Sequence, residues 1–307
     1  MQSSVSLAEP IVVARPSLRG RLAEWLPQVI LLPSLLATFL YVFVFSAWTL
    51  YVSLSDSTLL PSYNFVGFGH YAALWSNHRW AIAYTNLFFF GALYVIGAMA
   101  VGLLLAILID QRVRGEAIWR TIYLYPLAVS FVVTGTVWSW LYNPTSGFEA
   151  LFHGLGWTSF KFDWVVNPKM MIYCVAIAGI WQTSGFVMAM FLAGLRGIDG
   201  EILKAAQIDG ASTFATYRRV VLPIMRPVFF SALIVLAHMA IKSYDLVLSV
   251  TGKNPGGAAE LPSTFMYSYT FTRNQMAIGS TSAVIMLMTI AAIMVPYIFT
   301  ELRDRQR

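Results

Sequence analysis

Residues 198–227 read IDGEILKAAQIDGASTFATYRRVVLPIMRP, the longest polar and basic interruption in an otherwise apolar chain. Asp199 can cap a helix that starts near Gly200, with Glu201 in its first turn. Ile202, Ala205, Ala206 and Ile208 give that helix an apolar side. Glu201, Lys204, Gln207 and Ala211 recur at spacings of three and four and share a face. Gly210 supplies a stop. Tyr217, Arg218 and Arg219 lead to Leu222 and Pro223, where a new helix is expected to begin, because proline is tolerated in a first turn and disruptive in an interior. One reading is a basic amphipathic loop lying on lipid headgroups. The other is a helix seated in a protein socket, and the small alanines on the apolar side suit a socket better.

On either side of this stretch the chain is hydrophobic. Of 307 residues, 58% are hydrophobic and 11% charged, against about 25% charged in an ordinary soluble domain. The mean hydropathy is +0.67. These values point to an all-α membrane protein. Six segments are long enough to cross ~30 Å of hydrocarbon at ~20 residues each: 29–54, 83–109, 118–142, 170–195, 221–250 and 277–300. The first is too long for the core of a cleavable signal peptide and is expected to be retained. The organisation expected is an N-terminal tail over 1–25 and one six-span domain over 26–307.

Lysine and arginine set the orientation. Arg15, Arg19, Arg21, Arg112, Arg114, Arg120, Arg196, Lys204, Arg218, Arg219, Arg226, Arg303, Arg305 and Arg307 fall on one side. Arg79, Lys161, Lys169, Lys253 and Arg273 fall on the other, with Lys242 inside a span. The richer side, which carries both termini and residues 198–227, is expected to be cytoplasmic. The net charge of +6 reflects this bias rather than a nucleic-acid surface. The external segments 55–82, 143–169 and 251–276 carry turn signals at Pro61, Asn143-Pro144, Gly147 and Asn254-Pro255-Gly256-Gly257.

The central stretch also resembles the EAA loop of permease subunits of binding-protein-dependent ABC importers. That loop reads E-A-A-x-x-D-G-A, followed by L-P-x-x-x-P. Ala205, Ala206, Asp209, Gly210, Ala211, Leu222, Pro223 and Pro227 match at the family spacing. The likeness extends to Phe65–Trp75, to Arg120–Pro126, to Trp138–Gly147 and to the Gly-rich segment Ser249–Tyr267. It looks like the carbohydrate-uptake branch, in the first-permease, maltose-permease-like position, and IKSYDLV with GGAAELPSTFMYSYTF looks most like glucose/mannose-type permeases. The resemblance implies a type I importer (MetI-like) permease fold with a coupling helix. It implies a bacterial inner-membrane location, a second permease, two ABC ATPases that bind the ATP, and a periplasmic sugar-binding protein. ATP-driven closure of the ATPases would pull the two coupling helices together and open the spans outward. One position departs from the pattern: Lys204 stands where the family has glutamate. Glu201, one turn earlier, could supply the missing carboxylate.

Other residues invite two readings each. Lys242 and Asp245, with Ser243 and Tyr244, could line a sugar path, or form an intrahelical pair whose lysine snorkels outward. Trp181, Gln182, Thr183 and Ser184 interrupt the fourth span and could line the path, or bond between helices. Asn86 carries the same alternatives. Trp138, Trp140 and Tyr142 fit an aromatic belt, and Cys174 a small packing residue. His70, His78, His153 and His238 form no metal-ligand spacing, and Lys253 precedes the paired glycines rather than completing a P-loop. No cofactor, metal or catalytic residue is therefore expected on this chain. The competing function is a stand-alone secondary sugar transporter or channel, which would want intramembrane carboxylates or paired broken helices.

Overall fold

The computed structural model describes residues 18–304, apart from residue 112 and residues 253–256. It divides into one unit up to Thr49 and another from Leu50 onward. The first is a continuous helical run, long and apolar enough to cross a membrane from Gln28: α1 (Leu18–Phe39) passes through a π turn at Leu40–Val44 into α2 (Phe45–Ser53). Helix thus begins at Leu18, inside the stretch read as a tail. Residues 1–17 of that tail, and the turn signal at 254–256, lie outside the described residues.

The second unit contains α3 (Gly69–Trp75), α4 (His78–Asp110), α5 (Glu116–Ala128), α6 (Phe131–Leu141), α7 (Phe148–Gly154) and α8 (Met171–Arg196). Then come α9 (Gly200–Ile208), α10 (Thr213–Thr216), α11 (Leu222–Ile224), α12 (Arg226–Ile241), α13 (Tyr244–Thr251), α14 (Pro262–Tyr267) and α15 (Met276–Asp304). Among the described residues the only strand-like feature is an isolated bridge between Ser55 and Phe65. Among the described residues, four helices are long and apolar enough to cross a membrane, and up to six spans result if each of two bent pairs counts as one.

The core forms where α4 crosses α8. Phe90, Tyr94, Ala98, Gly102 and Ala106 place a buried residue at every fourth position of α4, one stripe of a helix. Glycines let the backbones close up. A Cβ on Gly102 would lie 2.7 Å from Val187, and one on Gly179 would lie 2.9 Å from the Tyr94 ring. Such contacts substitute for a hydrophobic driving force in lipid.

Two expected spans are broken. Residues 118–142 form α5 and α6, bent by 97°. Pro126 in the last turn of α5 weakens its continuation. The break frees backbone groups that need partners inside a membrane. Ser130 Oγ accepts from the Val132 N–H at 3.2 Å, and Gln182 Nε2 donates to the Val129 carbonyl at 2.7 Å.

The fifth span differs more. Its first helix starts at Thr213 rather than at Leu222, runs to Ile224, and bends by 66° into α12. Pro223 lies within this run because a π turn at Tyr217–Val221 precedes it: the Leu222 N–H reaches Tyr217 O and widens the turn just ahead of the missing N–H. Helix stops again at Lys242 and Ser243. There the Tyr244 N–H bonds the Lys242 carbonyl at 2.7 Å around Ser243, whose φ of −69° and ψ of 63° make an inverse γ-turn.

Tyr142 does not join an aromatic belt. It is buried, its hydroxyl donates to the Cys174 carbonyl at 3.0 Å, and its ring stacks on Phe162. A phenol seals its polar tip in this way when buried. Cys174 is itself buried, as its packing role requires.

Candidate functional site

The connections expected to share a side do meet in space. Arg196 at the end of α8 contacts Asp110 at the end of α4 and Glu116 at the start of α5, so 110–116 joins 196–213 at one end of the unit. At the other end, Asn77 Nδ2 donates to Tyr269 OH at 2.8 Å, and Arg79 pairs with Glu260. The 33 residues of α4 separate these ends by ~50 Å at ~1.5 Å per residue.

At the first end α9 forms as its sequence dictates. Asp199 Oδ1 accepts from the Glu201 N–H at 3.0 Å. At the far end the Ala211 N–H bonds Ala206 O and the Gly210 N–H bonds Gln207 O, each at 3.0 Å, and Gly210 has φ +75°. That is a Schellman motif, whose left-handed residue glycine adopts without a Cβ penalty. The D-G-A run therefore has a mechanical meaning: it stops the helix and turns the chain.

The faces of α9 fall differently from the spacing argument. Glu201, Lys204, Ala205 and Ile208 are exposed, Ile208 by 86%. Gln207 is exposed beside them and also reaches a cavity of about 200 Å³ beneath the helix, which Ala211 lines with Leu203, Tyr217 and Asp110. The reason is that α9 ends at Ile208, and the Schellman turn rotates Ala211 off the helical face. The outer surface is an apolar ridge of Ile202, Ala205 and Ile208, extended by exposed Phe214 and flanked by Glu201 and Lys204. Lys204 Nζ donates to Glu201 Oε1 at 2.9 Å. An apolar ridge turned away from its own protein, at the end of a membrane domain, is a candidate docking surface.

The γ-turn in the fifth span opens a second candidate site. Phe131, His238, Met239, Lys242, Ser243, Asp245 and Leu246 line a cavity of about 230 Å³. Irregular backbone at membrane depth is tolerated where it lines such a cavity. Lys242 and Asp245 make no ion pair within 4.0 Å, because the turn between them removes the helical register an intrahelical pair needs. Tyr244 points elsewhere and meets the Tyr267 ring at a tilt of 37°, with centroids 4.7 Å apart. A larger cleft of about 430 Å³ between α4, α12 and α15 is lined by Leu87, Val95, Leu233 and Ile293, and its polar groups are Tyr84 and Thr289.

A family model described as "Binding-protein-dependent transport system inner membrane component" matches residues 98–306. The chain belongs to this family. A probable ABC transporter permease protein of Pyrococcus horikoshii is 38% identical over 286 residues, covering 92% of this chain and 98% of that protein. A xylose/arabinose import permease protein of Haloferax volcanii is 32% identical over 80% of this chain and 77% of its own length. The trehalose/maltose transport system permease protein of Thermococcus litoralis is 28% identical over 89% of this chain and 92% of its own. A crystallised bacterial ABC transporter involved in import of the acidic polysaccharide alginate superposes with TM-score 0.77 at 18% identity, over 94% of this chain and 98% of that one. The fold is thus that of a MetI-like permease.

Within this permease the other expected path residues take varied positions. Asn86 donates its amide to the carbonyls of Ala258 and Glu260, ahead of α14, at 3.1 and 3.0 Å. Gln182 braces the break in the third span, and its Oε1 is buried with no partner. Ser184 donates to Trp181 O at 3.3 Å. Trp181 is 44% exposed and meets Trp138 edge-on at 5.9 Å.

A buried ion pair that no sequence motif signals lies at the second end of the unit. Glu260 is 1% exposed and is gripped by both Arg79 Nε, at 3.0 Å, and Arg79 Nη2. Arg79 also lies over the Tyr269 ring, as does Arg273. No local spacing announces a pair separated by 181 residues. The available signal was a carboxylate among the small and apolar residues of Gly257–Pro262.

Proposed function

We propose that this permease is one half of the membrane pathway of an ATP-driven importer for a sugar of the glucose/mannose class, in the first-permease position. A second permease completes the path, two ABC ATPases supply the energy, and a periplasmic binding protein delivers the sugar. The termini and α9 face the cytoplasm. The observation that carries the reading is α9: a capped helix whose apolar ridge faces outward at one end of the membrane unit. A lipid-surface helix would set its bulky side chains against many cations, whereas the ridge of Ile202, Ala205, Ile208 and Phe214 is flanked by one lysine–glutamate pair. The printed names of the xylose/arabinose and trehalose/maltose relatives support a sugar as cargo.

In this reading Glu201, Lys204, Ala205, Ala206, Asp209, Gly210, Ala211, Leu222 and Pro223 form the coupling element. Glu201 and Lys204 sit on its exposed face, and Asp209 to Ala211 set its end. The substrate path runs by the cavity at Lys242 and Asp245, whose ammonium and carboxylate can bond sugar hydroxyls, with Trp181 as an aromatic platform. Asn86, Gln182, Ser184 and Tyr244 lie outside the lining of that cavity and act by holding the surrounding segments in place.

The test is co-purification with the ATPase, followed by sugar-dependent ATP hydrolysis in proteoliposomes. Retention of the ATPase with hydrolysis stimulated by glucose and its binding protein supports the reading. Sugar uptake by the chain alone, driven by an ion gradient, sinks it in favour of a secondary transporter.

A further inference from the structure

Arg196 closes α8, three residues ahead of the Asp199 that caps α9. Its guanidinium lies 3.6 Å from Asp110, the last residue of α4, and 2.8 Å from Glu116, the first residue of α5. Arg120, one turn further along α5, contacts Glu116 at 3.6 Å. One side chain therefore joins three helix ends.

The charge placement is informative. Glu116 at a helix start and Arg196 at a helix end are favoured by the macrodipole. Asp110 at a helix end is disfavoured, and among the described residues Arg196 is the one cation within 4.0 Å of it. Asp110 also walls the cavity beneath α9, opposite Leu203, Gln207 and Ala211. The charge cluster and the underside of α9 thus share a boundary. Between Arg196 and α9 lie only Gly197, Ile198 and the cap.

We propose that Arg196 is a positioning residue for coupling. It locks the ends of α4, α5 and α8 into one unit, so that a displacement of α9 moves those helices together rather than flexing the chain at Gly197. The inference rests on the reading of α9 as the ATPase contact. Arginine suits the task because its planar fork can hold two carboxylates at once, whereas lysine is a point charge. Without it, Asp110 and Glu116 lose the cation they share, and the α4 and α5 ends are free to part.

The experiment uses the assembled importer in proteoliposomes, with Cys174→Ser and a bimane label at Ser243→Cys in the membrane cavity. ATP is the only ligand added. In the unaltered background ATP shifts the bimane emission. Arg196→Gln is expected to retain the ATPase and its hydrolysis rate while cutting that shift roughly five- to tenfold, a modest coupling free energy. Arg196→Lys falls between the two. An unchanged shift in Arg196→Gln overturns the proposal. So does a parallel loss of hydrolysis, shift and Tm, which makes Arg196 a folding residue. If the unaltered importer retains no ATPase, the reading of α9 fails instead, and this inference falls with it.

Discussion

Gln182 on α8 donates a 2.7 Å hydrogen bond to the carbonyl of Val129, across the 97° break between α5 and α6. The bond satisfies an acceptor that the break strips of its helical partner, in a place where water is scarce. Gln182→Leu should lower stability by about 1–3 kcal/mol, the cost of a buried acceptor left unmade. The lower part of that range is expected, because the substitution also removes the unpartnered Oε1. Thermal unfolding of the purified permease in detergent measures this. A Tm equal to the unaltered protein's means the break needs no brace.

The Arg79–Glu260 pair makes a sharper thermodynamic statement. Glu260 is fully enclosed while Arg79 keeps a third of its side chain in contact with solvent. Removing the arginine leaves a buried carboxylate uncompensated, and such losses cost about 3–5 kcal/mol. Partial exposure of Arg79 moves the expected value toward the low end. Arg79→Gln should therefore be more damaging than the double variant Arg79→Gln with Glu260→Gln. A double-mutant cycle on thermal stability checks the order, and strict additivity of the two single changes contradicts it.

These two contacts also mark where sequence reading stops. The chain ends of α9 were legible because capping is local: Asp199 bonds two residues away, and Gly210 closes a turn that reaches only to Ala206. The apolar spans were legible because hydropathy averages over twenty residues. That same averaging hid the γ-turn at Ser243, which interrupts the fifth span over two residues. The brace for Val129 lies 53 residues away, and the partner of Glu260 lies 181 away, so neither has a periodic signature. Gln207 shares the exposed side with Glu201 and Lys204, whereas Ala211 does not, for a local reason: counting by threes and fours continued past the point where the helix ends.

Gly210 can be tested directly. Its φ of +75° costs a residue with a Cβ about 1–2 kcal/mol, although the surroundings are open and no clash arises. Gly210→Ala should leave the membrane unit folded but fray the end of α9. Amide hydrogen exchange over 205–211 should quicken, and less ATPase should be recovered on purification. Unaltered exchange at these amides would falsify the Schellman account.

Lys242 is expected to act in transport and not in folding. Its ammonium makes no ion pair within 4.0 Å and borders the cavity of about 230 Å³. Lys242→Met keeps the volume and removes the donor. Glucose uptake by proteoliposomes should fall on the order of tenfold, as for loss of a hydrogen bond from a charged group. Assembly and basal ATP hydrolysis should persist. If uptake is unaffected while Tm drops, the lysine belongs to packing.

Glu201 carries the prediction most particular to this permease. Lys204 occupies the position where the resembled loop has glutamate, and Glu201 sits one turn earlier on the same exposed face, 2.9 Å from Lys204. Both side chains are largely in solvent, so their mutual attraction adds little to stability, and their value must lie in what they present to a partner. Glu201→Lys places two cations on the docking face and removes its carboxylate. It should reduce ATPase retention or uncouple hydrolysis from uptake without shifting Tm. The exchange variant, Glu201→Lys with Lys204→Glu, returns a carboxylate to the same face one turn along, at the position usual for the loop. It should recover much of the coupling. The decisive measurement is sugar taken up per ATP hydrolysed across the three proteins. If Glu201→Lys is normal by that ratio, the carboxylate has no role in coupling. If the exchange variant fails where Glu201→Lys also fails, the partner reads position 201 itself and not merely the charge of the face.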